Sequence, residues 1–148
     1  MAQLDDLAKQ CTDPAGPFLV EAENLSAEAA ARLAEVLQTR IIVARVVDAA
    51  KLRSKQELLT SIAQAFDFPG HFGHNWDALL DCLSDFAWLP AQGHVCIFLH
   101  GEALQKADGA TCNRFLQVAE EAAQRWRQRQ AGFFKLVIGG RARPKVRD

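Results

Sequence analysis

Tyrosine is absent from the 148 residues and methionine occurs once. No stretch approaches the roughly 20 consecutive apolar residues needed to span a bilayer. The start, Met1-Ala2-Gln3-Leu4-Asp5-Asp6, lacks the basic opening and apolar run of a signal peptide. A cytoplasmic protein without a membrane role is therefore expected. The four cysteines, Cys11, Cys82, Cys96 and Cys112, form no CxxC pair and have no histidine at zinc-finger spacing. That spacing argues against a structural zinc site and a thioredoxin-type redox motif. Free thiols in a reducing compartment are expected, with Cys82 and Cys96 acting as small core hydrophobes. No cofactor and no metal is expected. A large net charge is missing too: 17 Lys plus Arg stand against 18 Asp plus Glu, which argues against a protein that coats nucleic acid.

The chain has 49% hydrophobic and 24% charged residues, the composition of one soluble globular domain. It holds no internal repeat and no low-complexity block. The first dozen residues read as loosely ordered. Asp13-Pro14-Ala15-Gly16-Pro17 is a turn cluster, and Phe18-Leu19-Val20 reads as a short strand. Ser26 is an N-cap, with Leu25 and Ala30 as a hydrophobic staple, for a helix from about Ser26 to Gln38. Residues 1–40 thus read as an N-terminal extension of one strand and one helix.

From Ile41 the pattern alternates more regularly. Ile41–Val47 is a β-branched strand. Ser54-Lys55-Gln56-Glu57 is a capping box for a helix whose apolar face is Leu58, Leu59, Ile62, Ala63 and Phe66. After Pro69-Gly70 a loop leads to a helix read as Asn75 to Ala87. The apolar run Val95–Leu99 is a central strand, a short helix follows Glu102, a long one runs from about Cys112 to Arg129, and Phe133–Ile138 is the last strand. Residues 141–148 read as a basic tail. Strands apolar on both faces and alternating with helices imply an α/β three-layer sandwich. Its small parallel sheet has three core strands, with a possible fourth from the extension.

The balance of charge hides an asymmetry. Between Gln56 and Gln105 there is no Lys and no Arg, yet six acids: Glu57, Asp67, Asp77, Asp81, Asp85 and Glu102. From Ala122 onward there are eight basic residues and one acid. Asp77, Asp81 and Asp85, four apart, are expected to stack on one helix face, opposite a core face of Trp76, Leu79, Leu80, Leu83 and Phe86. Like charges at this spacing oppose helix formation, and no neighbouring cation in the sequence relieves them. A solvated acidic face and a cation-binding surface are both open on periodicity alone. The preceding loop, His71-Phe72-Gly73-His74, sets aromatic groups beside uncompensated charge, as an interface does. Phe72 fits either that interface or the core.

Gly73, Asn75, Asp77, Ala78, Leu79 and Asp81, with the capped helix before them and Leu116-Gln117-Val118 followed by Glu121-Ala122 after them, resemble the signature of the barstar family. The resemblance covers about Ile41 to Gly140, which divides the chain into an extension (1–40), a barstar-like domain (41–140) and the tail (141–148). Such proteins are intracellular inhibitors of secreted guanyl-specific ribonucleases. The resemblance implies that the acidic helix and its loop plug a cationic active site, their carboxylates standing in for phosphate. It implies partner contacts by His71, Phe72, Gly73, Asn75, Asp77, Asp81 and Glu121, with Asp81 dominant and Asn75 also an N-cap. It implies no catalytic residue. His71 stands where the best-known member has tyrosine, and Leu80 where it has tryptophan. The expected partner is accordingly a microbial ribonuclease or another protein with a cationic cleft, and the free chain is expected to be a monomer.

Three other readings compete. His71, His74 and Asp77 form a loose set for a metal-dependent hydrolase, but Gly73 and Asn75 interrupt the helix that would align them. Asp77 and Asp81 as a catalytic carboxylate pair lack a nucleophile or phosphate loop. Arg125, Arg127, Arg129, Arg141, Arg143, Lys145 and Arg147 suggest nucleic acid, yet they alternate along a helix end and tail instead of forming one stripe. Direct nucleic-acid binding is not expected.

Overall fold

The apolar runs become strands and the periodic segments become helices. The computed structural model describes residues 2–140, in the order α1 (Ala2–Thr12), β1 (Leu19–Glu21), α2 (Ala27–Gln38), β2 (Ile42–Asp48), α3 (Lys55–Ala65), α4 (Trp76–Leu83), β3 (Gly93–Leu99), α5 (Gly101–Ala107), α6 (Gly109–Arg129) and β4 (Phe134–Ile138). The basic tail read over 141–148 lies outside the described residues.

All strand pairs are parallel, in the order β1-β4-β3-β2. Ile42 stands opposite Gly93, His94 opposite Phe134, and Leu19 opposite Leu136. The central strands β3 and β4 are buried along their whole length, as parallel strands covered on both faces must be. Alternate side chains then divide the core in two. Val47, Cys96, Phe98, Phe134, Leu136 and Ile138 pack with α3, α4, α5 and α6. Ile42, Ala44, Val95, Ile97, Leu99 and Val137 pack with α1 and α2. The result is a three-layer α/β sandwich, and its fourth strand does come from the N-terminal extension.

Two sequence expectations need correction. The opening dozen residues are a helix, not a loose segment. Its buried Leu7, Ala8 and Cys11 recur at helical spacing and cover one sheet face, so tertiary packing holds a helix whose weak caps hid it. The acidic helix is shorter than read. It stops at Leu83, because the Ser84 hydroxyl donates to the Leu80 carbonyl at 2.6 Å and Phe86 turns to a positive φ of 53°. That turn buries the Phe86 ring against Phe66.

Capping follows the sequence closely. Ser26 accepts from the Ala29 N–H at 3.0 Å, and Ser54 from the Glu57 N–H at 3.2 Å. The Glu57 carboxylate reaches back to the Arg53 N–H at 2.8 Å, one residue before the cap.

Candidate functional site

The loop 69–75 and α4 form the surface where the expected residues gather. Phe72 pins the loop from below. It is buried, its N–H donates to the Pro69 carbonyl at 3.0 Å, and its ring meets Phe68 edge-on at 5.0 Å. It therefore braces the loop from the core side, one of the two places its sequence allows. His71 and Gly73 are exposed. A Cβ on Gly73 would come within 3.1 Å of the Asn75 amide, tight against the group that caps the next helix. His74 holds a positive φ of 53°, and its Nδ1 meets the Phe72 carbonyl at 3.1 Å.

Asn75 is the N-cap of α4: its side-chain oxygen accepts from the Ala78 N–H at 2.8 Å. This fixes where α4 begins and hence where Asp77 and Asp81 point. Both are exposed and lie one turn apart, with Asp77 in the first turn, where the helix dipole favours an anion. Leu79, Leu80 and Leu83 are buried beneath them. Trp76 is half-buried, with the Lys55 ammonium 5.4 Å from its ring centroid. Asp85 falls in the turn beyond the helix, so the expected stripe of three carboxylates is a pair.

The pair is not free of cations. Arg125 on α6 reaches Asp81, Nη1 to Oδ1, at 3.5 Å. Glu121 lies one turn before Arg125 and is also exposed, so α6 presents it on the same side. The surface thus gathers Asp77 and Asp81 from one helix with Glu121 and Arg125 from another. The local sequence concealed this, since Arg125 is 44 positions from Asp81. The spacing of Glu121 and Arg125 was the available signal.

Cys82 follows Asp81 on α4 and packs, partly buried, against the core. Burial, then the Asp81 and Asp85 carboxylates, pushes its thiol up to about 11, which removes it as a nucleophile at neutral pH. Among the described residues no three His, Cys, Asp or Glu side chains are grouped so as to hold a metal ion, so His71, His74 and Asp77 do not make a ligand set. Among the same residues no helix is long and apolar enough to cross a membrane.

A family model described as Barstar (barnase inhibitor) matches residues 42–138, which includes the loop, α4 and Glu121. The chain belongs to the barstar family. No curated protein matches it closely enough to be named. Among solved structures, the chain is similar to the Aeropyrum pernix ORC1 protein, solved in complex with DNA, at 17% identity and a TM-score of 0.58. That likeness covers 94% of this chain and 38% of the other, and it concerns the fold alone. Within the barstar family, the matched region leaves α1, β1 and α2 outside it. Those elements build the sheet's outer strand and cover its far face, away from the acidic helix.

Proposed function

We propose that this barstar-family chain is a non-catalytic protein inhibitor of a secreted guanyl-specific ribonuclease, acting inside the cell that makes it. The observation that carries the reading is the exposed pair Asp77 and Asp81 on a helix fixed at its start by Asn75, within a domain of a family described as barnase inhibitors. A nuclease cleft holds phosphate with cations, and carboxylates on a rigid helix offer those cations a ready anion. Asp81 is the main contact, Asp77 the second, and Glu121 a flanking acid. His71 and Gly73 approach the cleft rim, while Asn75 and Phe72 hold helix and loop in shape.

The test is stoichiometric inhibition of such a ribonuclease by the full chain, with association faster at low salt. Asp81→Ala should weaken binding by about 2–5 kcal/mol, the range for truncating one partner of a desolvated charge pair. Wild-type protein that inhibits none of the secreted ribonucleases of its own organism would overturn the reading. The Arg125–Asp81 contact, together with His71 and Leu80, also favours a second reading, in which the module regulates a different cationic protein through this surface. Capture from the native organism, with the Asp77→Ala/Asp81→Ala double variant as control, separates the two.

A further inference from the structure

Arg125 is a feature of the acidic surface that works against a cationic partner. Its guanidinium lies 3.5 Å from the Asp81 carboxylate, with the two side chains 47% and 77% exposed. An ion pair this open and this long adds little to stability. Nor does α4 need it for docking: beside it, the buried Trp126 indole donates to the Leu83 carbonyl at 2.8 Å and ties α4 to α6. Arg125 is therefore dispensable to the fold, yet it is placed on the carboxylate expected to matter most.

Resting on the ribonuclease-inhibitor reading of this surface, we propose that Arg125 is a specificity-determining residue, an internal counter-ion that competes with an incoming cation for Asp81. A partner that offers only positive charge must displace the guanidinium or sit against it. Glu121, one turn away on α6, gives the displaced guanidinium an alternative carboxylate, so displacement does not require moving α6. Arg125 thus raises the threshold for casual polycations and reserves Asp81 for a partner whose other contacts outweigh the competition.

Two probes test this with the full chain. The first is hexa-arginine, titrated at low salt with backbone NMR shifts as readout. Arg125→Gln should bind it about three-fold more tightly than wild type, as an exposed pair allows, with shifts centred on α4. Arg32→Gln, the same change in net charge on an exposed residue of α2, should leave those α4 shifts and their midpoint at the wild-type value. Arg125→Lys, which keeps the charge, should stay near wild type. In an Asp81→Asn background Arg125→Gln should lose most of its gain, which isolates the pair from the general field. No gain in Arg125→Gln, or an equal gain in Arg32→Gln, overturns the proposal.

The second probe is the ribonuclease itself. If neither wild type nor Arg125→Gln inhibits it while the hexa-arginine gain persists, the inhibitor reading fails and the role of Arg125 stands. If wild type inhibits and the hexa-arginine gain is missing, the inhibitor reading stands and the role of Arg125 fails.

Discussion

His94 shows how a residue's surroundings decide its chemistry. It enters β3 among apolar neighbours, and its ring stacks on Phe86 at 4.1 Å between centroids and lies 5.8 Å from Trp126. Its Nε2–H donates to the Leu89 carbonyl at 2.7 Å, while Nδ1 is buried with no hydrogen-bond partner. A proton on Nδ1 would place a charge where nothing receives it. Burial accordingly pushes its pKa below the ordinary histidine value, and the Arg45 cation adds to the effect, against the Leu89 bond that works to raise it. The sign of the linkage follows. Below about pH 6.5 the unfolded chain takes up a proton that the folded chain refuses, so stability is full above that pH and falls as the pH drops through it. Urea midpoints measured downward from about pH 7.5 should decline through this window, and His94→Gln should flatten the slope. A wild-type midpoint that stays level would contradict the burial argument. The cysteines follow the same physics in the other direction: burial pushes the Cys96 thiol up to about 12, in keeping with its reading as a core hydrophobe.

Helix ends divide what could be read in the sequence from what could not. Caps lie within three or four residues of the groups they satisfy, so Ser26, Ser54 and Asn75 were legible as helix starts, and each makes the expected bond. Strands were legible because β3 and β4 are apolar on both faces. Two C-terminal ends were legible as well, since α2 and α6 stop at Gln38 and Arg129 as the pattern indicates, but the end of α4 was not, and some end carbonyls find donors far along the chain. The Phe66 carbonyl at the end of α3 accepts from the Trp88 indole at 2.9 Å, and the Leu83 carbonyl at the end of α4 accepts from Trp126, 43 residues away. The acidic helix ends earlier than its apolar pattern suggests, because the Ser84 bond to Leu80 and the positive φ of Phe86 leave no mark in that pattern, and Asp85 therefore lies beyond it. The candidate site divides the same way. Asp77, Asp81 and Asn75 follow from local pattern, while Arg125 needed α6 to be set beside α4. Trp126→Phe tests the long-range link: it keeps an aromatic side chain, smaller by one ring, and leaves the Leu83 carbonyl without its donor. A loss of about 1–3 kcal/mol is expected, with faster amide exchange in α4 than in α2. Unchanged exchange in α4 would mean that packing alone seats the helix.

Across the whole molecule, the segment that carries no cation in sequence acquires them in space. Arg45 comes within 3.9 Å of Asp67, Arg125 within 3.5 Å of Asp81, and Lys55 covers Trp76. The acidic surface that remains is narrower than the sequence suggested, centred on Asp77 and the open side of Asp81. On the far side of the sheet the extension closes the fold. The β4 strand takes β1 as its outer neighbour, with the Leu136 N–H donating to the Phe18 carbonyl at 2.9 Å, and the buried Lys135 ammonium donates to the Pro17 carbonyl at 2.9 Å. Arg127 holds the Gly16 carbonyl at 3.0 Å from α6. The family match begins at residue 42, yet Ile42, Ala44, Val95, Ile97, Leu99 and Val137 are buried only because α1 and α2 lie over them. A chain starting at Ile41 would expose that face to water, strip β4 of a neighbour and leave Lys135 without its carbonyl. Burying one such aliphatic side chain stabilises by roughly 1.5–3 kcal/mol, so uncovering several is comparable with the roughly 5–15 kcal/mol that holds a typical domain together. The truncated chain should therefore bind a hydrophobic dye, aggregate on concentration and show no cooperative thermal transition. A melt of the truncated chain that is cooperative and within a few degrees of the full-length one would show that residues 41–148 fold alone, and that α1, β1 and α2 are an addition to a fold already complete without them.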